Sequence, residues 1–256
     1  MKGFEKVLVL VATVLVLAVN GLANTGALGG VTTGEVAGRY ALPFTPAGYV
    51  FAIWGLIYTG VIAFSLFQAA GAGARLERVA GLRPVYVFSA AANVAWLWFW
   101  HHQALVASLV VMLLLLAALI VARRLVVAAQ AGSPVEFWCV DVPFRVYVAW
   151  ISIATLANLA VVMAYGGSPE GPRAPLAISL GMLAAALAIA FFAWDRLRDP
   201  IFLVVVAWAA LGIALRHGQP MTVSAPALVV FALAGLGAIG LLLEDARALR
   251  RQSTTG

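Results

Sequence analysis

Residues 104–122 read ALVASLVVMLLLLAALIVA. The stretch carries no charge. His101, His102 and Gln103 precede it, and Arg123 and Arg124 follow. About 20 apolar residues make a helix as long as the hydrocarbon core of a bilayer is thick. In lipid each backbone N–H and C=O must find its partner within the segment or in a closed barrel. The alternating pattern of a barrel strand is absent, so the stretch predicts a spanning helix.

Seven more apolar runs lie outward from it, at about 7–27, 46–70, 85–100, 146–165, 175–194, 200–215 and 225–243. None contains Asp, Glu, Lys or Arg. Over the 256 residues 64% are hydrophobic and 10% charged, too few charges to clothe a soluble surface. The expected fold is therefore all-α, a polytopic membrane bundle of about eight transmembrane helices. Lys2 and Lys6 ahead of the first run resemble a signal peptide. No small-x-small cleavage site precedes Asn20, so the run reads as a retained anchor.

Eight spans place thirteen of the 16 Lys and Arg on the side of the two termini, leaving Arg39, Arg173 and Arg216 opposite. Such a bias predicts a multi-pass protein with both termini cytoplasmic, in a bacterial cytoplasmic membrane. The net charge of +6 has no basic face or nucleic-acid motif behind it, so no nucleic-acid partner is expected. Membrane lipid is the expected surrounding.

Much ordinary chemistry is excluded. No carboxylate or base lies within a run, which argues against proton-coupled pumps. Lys2 and Lys6 are the only lysines, so no retinal Schiff base forms in the bundle. The single Cys139 permits no disulfide within the chain. Adjacent His101 and His102 point about 100° apart and make a poor metal site; they read as interfacial residues. Gly235–Gly240 matches a dinucleotide fingerprint by letters, but inside an apolar run it reads as helix packing. No nucleophile–base pair appears, so an enzyme is not expected.

Three runs carry aromatic and amide stripes. Phe51, Trp54 and Tyr58 share a face in the second, and Asn93, Trp96 and Trp100 in the third. Tyr147, Trp150, Ala154 and Asn158 form a stripe in the fifth. An interfacial belt accounts for Trp98, Trp100 and Trp138. Trp54 lies deeper, eight residues past Pro46, or ~12 Å along a helix. Asn93 and Asn158 are costly in hydrocarbon unless they face the bundle interior. Packing alone and an internal ligand pocket both fit these stripes. The loop 28–45 fits either a lid or a plain connection.

The stretch Phe44-Thr-Pro-Ala-Gly-Tyr-Val-Phe-Ala-Ile-Trp-Gly-Leu-Ile-Tyr58 resembles the Pro-rich start and Trp-bearing second helix of the translocator protein family, also called tryptophan-rich sensory protein or peripheral benzodiazepine receptor family. Asn93-Val-Ala-Trp96 is similar to its Asn-x-x-Trp motif. Tyr147-Val-Ala-Trp150 with Ala154-x-x-x-Asn158 is similar to its fifth-helix motif. The resemblance covers roughly residues 5–165. It departs at Ala47, where the family often has a second proline, and at Val146, with Pro143 displaced.

The resemblance implies a five-helix bundle over 1–166; the apolar runs of 167–256 add three transmembrane helices and a short cytoplasmic tail. The resemblance also implies a ligand pocket under the first loop. Trp54, Asn93, Trp96, Trp150 and Ala154 match its walls, and the stripes add Phe51, Tyr58, Tyr147 and Asn158 as ligand-binding candidates. The implied function is a membrane sensor or carrier for porphyrin-like or other hydrophobic small molecules. No cofactor is required; a tetrapyrrole (porphyrin or haem) would be ligand, and a homodimer is implied. The alternative function is a permease for a small neutral solute. The three helices beyond residue 175 lie outside the five-helix pattern.

Overall fold

The computed structural model describes residues 2–27, 30–40, 42–166 and 174–255. Arg173, counted above, lies outside the described residues. The helices are α1 (Lys2–Asn24), α2 (Thr33–Arg39), α3 (Ile53–Ala69, led by a 3₁₀ turn over Gly48–Ala52), α4 (Glu77–His101) and α5 (Leu105–Val127). They continue with α6 (Pro134–Tyr165), α7 (Pro175–Leu197), α8 (Pro200–Ala214) and α9 (Met221–Thr255). No strand occurs among the described residues.

The greater part of every apolar run lies in a helix, α2 being the short extra one. Among the described residues six helices are long and apolar enough to cross a membrane: α1, α3 with its leading turn, α5, α6, α7 and α9. The 25-residue α4 has the length, but Asn93 and its tryptophans dilute its apolar character. At 15 residues, α8 falls short of a full crossing. The bundle is all-helical and polytopic. Large apolar side chains such as Leu15, Leu66, Leu113 and Leu236 are exposed, as lipid requires.

The chain forms two compact units. One is Met1–Ala41 with Phe51–Arg173; the other is Leu42–Val50 with Ala174–Gly256. Residues 42–50, expected with the five-helix part, group instead with the C-terminal helices. In the first unit neighbouring helices run α1–α3–α6–α5–α4 and back to α1, a closed ring of five. In the second, α9 packs along α8 and against α7.

The helix α6 starts twelve residues before the apolar run and takes in Glu136, Asp141 and Arg145. Pro143 has no N–H, and its ring crowds the carbonyl four residues back. A wide π turn over Phe137–Asp141 absorbs this, with the Val142 N–H donating to Phe137 O. Glu136 and Asp141 are buried there because Arg78 of α4 reaches both. Its Nη2 lies 2.7 Å from Asp141 Oδ2, and its Nη1 donates to Val126 O and Ala129 O at 3.0 and 2.9 Å. Nearby, buried Arg83 donates to Gln68 Oε1 (3.0 Å), and Gln68 donates to Lys6 O (3.1 Å). These contacts gather the basic end of the ring.

Helices α3 and α6 meet where Gly60 faces Pro143; a Cβ on Gly60 would lie 3.0 Å from Pro143 Cβ. Gly60→Val is therefore expected to cost about 1–3 kcal/mol by overpacking. Gly55, one turn away, faces open space, and Gly55→Val should melt within a degree or two of wild type. Thermal unfolding of both variants in detergent decides this; equal melting would show that the helices do not touch at Gly60.

Candidate ligand site

Inside the ring, α3, α4 and α6 turn their aromatic faces together. Trp54 sits at the centre. Its ring stacks on Tyr58 (5.6 Å, 23°) and Trp96 (6.1 Å, 22°) and meets Tyr147 (6.2 Å) and Trp150 (6.3 Å) edge-on. Phe51 meets Trp150 edge-on at 6.2 Å. Six of the nine expected residues thus form one cluster. Spacings of three and four keep the α3 residues on one face through two turns. Flat rings at these separations gain about 0.5–1.5 kcal/mol per pair beyond their area.

Asn93 joins the cluster through Asn20 of α1. Asn20 Nδ2 donates to Asn93 Oδ1 at 2.9 Å and to Val16 O at 2.8 Å, and the Tyr58 hydroxyl donates to Asn20 Oδ1. A further polar set, Thr13 with Ser65 and the Tyr86 hydroxyl, lies toward the basic end of the same helices. Asn20 was missed in the sequence, although an amide within a 21-residue apolar run is itself a signal.

Asn158 does not join. It exchanges hydrogen bonds with Ser108 of α5 (3.0 and 3.2 Å). Ala154 is half-buried and borders neither void beside the cluster. The belt reading holds for Trp98 and Trp138, 54% and 65% exposed, but not for Trp100, which is 5% exposed. Trp100 stacks on Trp96 (6.2 Å, 20°) and approaches Tyr40 (5.9 Å), which meets Tyr165 at 5.1 Å. The ring array therefore runs well beyond Trp54. His101 is buried with Nδ1 on Leu97 O, whereas exposed His102 lies against Trp98. No cluster of three metal-ligating side chains occurs among the described residues.

Part of the first loop covers the array. Thr32 and Glu35 form a capping box that starts α2. The Thr32 backbone N–H holds the exposed Glu35 carboxyl below the usual carboxylate range. Trp100 Nε1 donates to Thr33 O at 3.4 Å, and Tyr40 donates to Gln103 Oε1 at 3.3 Å. Thr33 and Gly34 border a cavity of about 40 Å³ shared with Asn20, Phe51, Trp54, Tyr58 and Trp96. A second void of about 10 Å³ lies beside Tyr58, Tyr86 and Tyr147. Neither holds more than a water or so. The rings fill their own space.

The cluster is short of hydrogen-bond acceptors. Asn93 Nδ2, Trp96 Nε1 and Trp150 Nε1 are buried donors without a partner, on residues at most 5% exposed. In a dry interior each such group costs about 1–3 kcal/mol. An acceptor atom brought against these walls would satisfy them.

The family described as TSPO-like protein matches residues 6–243. The chain belongs to this family. It is an integral membrane protein with the translocator-like motifs in the ring of five. The match continues through α7 and α8 into α9, so the helices beyond residue 175, set outside the five-helix pattern above, fall within the TSPO-like match. No curated protein and no solved structure matches the chain.

Proposed function

We propose that the protein is a membrane sensor or carrier that binds a flat, hydrophobic, porphyrin-like molecule among Trp54, Trp96, Trp150 and their neighbours. The observation that carries this reading is the group of three buried N–H donors without acceptors on the walls of an aromatic cluster. Packing alone explains the rings but not the donors, which a ligand with carbonyl or carboxylate edges would satisfy. Both termini are taken as cytoplasmic and the membrane as a bacterial cytoplasmic one, on the charge asymmetry. The tetrapyrrole is ligand rather than resident cofactor, and a homodimer suits the family reading.

The cavity of about 40 Å³ is far below the 300 Å³ or more of a typical ligand site, so rings and α2 must part on binding. Observed association rates should therefore level off at high ligand concentration. The test is titration of purified protein in detergent with protoporphyrin, read by quenching of tryptophan emission. Saturable binding is expected, weakened about tenfold (~1.4 kcal/mol) in Trp54→Phe and in Trp150→Phe. Tight binding untouched by both would move the site away from the cluster. No saturable quenching would overturn the reading; solute flux through proteoliposomes would then support the neutral-solute permease.

A further inference from the structure

The C-terminal unit contains a piece of the first loop. Residues 42–50 carry Pro43 and Pro46 and include a stretch without regular structure, so their backbone polar groups need outside partners. The helices after residue 174 supply them. Arg216 Nη1 donates to Leu42 O at 2.6 Å and to Thr45 O at 3.2 Å. Gln219 Nε2 donates to Pro43 O. Ser179 Oγ accepts from the Phe44 N–H at 3.1 Å, and Gly212 O accepts from the Ala47 N–H at 2.9 Å. Trp208 Nε1 donates to Val50 O at 3.1 Å, and its ring meets Tyr49 edge-on at 5.5 Å. Leu42, Phe44 and Val50 are buried.

The fit is close enough to need a glycine. A Cβ on Gly212 would lie 1.9 Å from Val50 Cγ2 and 3.6 Å from Pro46 Cβ. Arg216 is also one of three basic residues counted on the sparsely basic side. A stretched coil turns backbone carbonyls outward, and one guanidinium nitrogen serves two of them, Leu42 O and Thr45 O.

Covalent continuity gives this strap its consequence. Val50 is followed directly by Phe51, and Trp54 comes three residues later. Whatever holds residues 42–50 still also holds the first turn of the helix that brings Phe51 and Trp54 to the ring cluster. We propose that α7–α9 set the rate of ligand access to the cluster by clamping this strap, with Arg216 the main positioning residue and Trp208 the second. This role rests on the ligand-binding reading above.

The experiment pairs hydrogen exchange on peptides covering 42–58, without ligand, with stopped-flow protoporphyrin binding. The proteins are wild type, Arg216→Ala, Arg216→Lys and the milder Trp208→Phe. Loss of the two carbonyl contacts in Arg216→Ala is expected to speed exchange over 42–50 about tenfold. Association and dissociation should both rise about fivefold or more, leaving the dissociation constant nearly unchanged, as for a gate. Arg216→Lys, which keeps the charge and its donors, should stay near wild type, and Trp208→Phe should fall between.

Faster exchange with unchanged binding rates would reduce the strap to a structural cover and overturn the proposal. Unchanged exchange in both Arg216→Ala and Trp208→Phe would show that these residues do not hold the strap and overturn it too. Should Arg216→Ala fail to fold, Trp208→Phe carries the same comparison. If wild type binds no porphyrin at all, the ligand reading fails and the access role with it, even where exchange shows a released strap.

Discussion

Arg78→Ala is expected to lose about 3–5 kcal/mol, the largest loss of any single change at the basic end of the ring. Arg78 reaches both carboxylates of α6, Glu136 and Asp141, by charge, and the end of α5 through hydrogen bonds to Val126 O and Ala129 O. The side chains of Arg78, Glu136 and Asp141 are 10%, 7% and 4% exposed, so water cannot take over. Asp141 also lies 4.0 Å from Arg145, and the Glu136 carboxylate also accepts from the Gly132 backbone N–H. Removing either carboxylate charge, by Glu136→Gln or Asp141→Asn, on the Arg78→Ala background is expected to recover part of the loss. Arg78→Lys should recover little, since one ammonium cannot span four acceptors in this fork geometry. Melting of the single and double variants in detergent measures it. An Arg78→Ala protein as stable as wild type would mean that the network is solvated and contributes as little as a surface pair.

This network also shows why part of the fold was hidden in the sequence. The apolar cores of the helices were legible because lipid forces long uncharged runs to be helical. The start of α6 was not. Glu136, Asp141 and Arg145 look like loop residues until a partner 58 to 63 positions earlier in the chain neutralises two of them. Local pattern holds no trace of such a pairing.

The candidate site divides along similar lines. A stripe fixes the face of a helix but not the depth at which a neighbour meets it. Phe51, Trp54 and Tyr58 converge with Trp96 and Trp150 because the three helices present those faces at one level. Asn158 lies two turns, about 12 Å, beyond Trp150, where Ser108 is the neighbour. Trp100 was legible in two ways, as belt or stripe, and its 200° separation from Trp98 on a helix sends one ring to lipid and the other inward. The attachment of residues 42–50 to Arg216 and Gly212 spans more than 160 positions, and no spacing rule reports it.

Trp54→Ala is the second large effect, and it bears on whether the cluster is a packed core that opens for a ligand. Trp54 contacts four rings from α3, α4 and α6, so its removal takes out a large buried side chain and four ring pairs together. Deleting a buried tryptophan costs about 3–5 kcal/mol, part of it for the cavity left behind. That hole would merge with the void of about 40 Å³ beside Trp54 and Trp96. It would be lined by aromatic walls and by the unpartnered donors of Asn93, Trp96 and Trp150. An apolar cavity of this kind binds small aromatics of the deleted shape. Millimolar indole is therefore expected to raise the melting temperature of Trp54→Ala and to leave that of wild type and Gly60→Val unmoved. A small aromatic with an acceptor atom, such as quinoline, should do better than indole, because the orphan groups are donors. Equal rescue by both would mean that the donors face away from the hole and play no part in recognition. A Trp54→Ala protein that melts with wild type would show that the rings do not pack on one another, and the ligand site argued from them would fall with the packing.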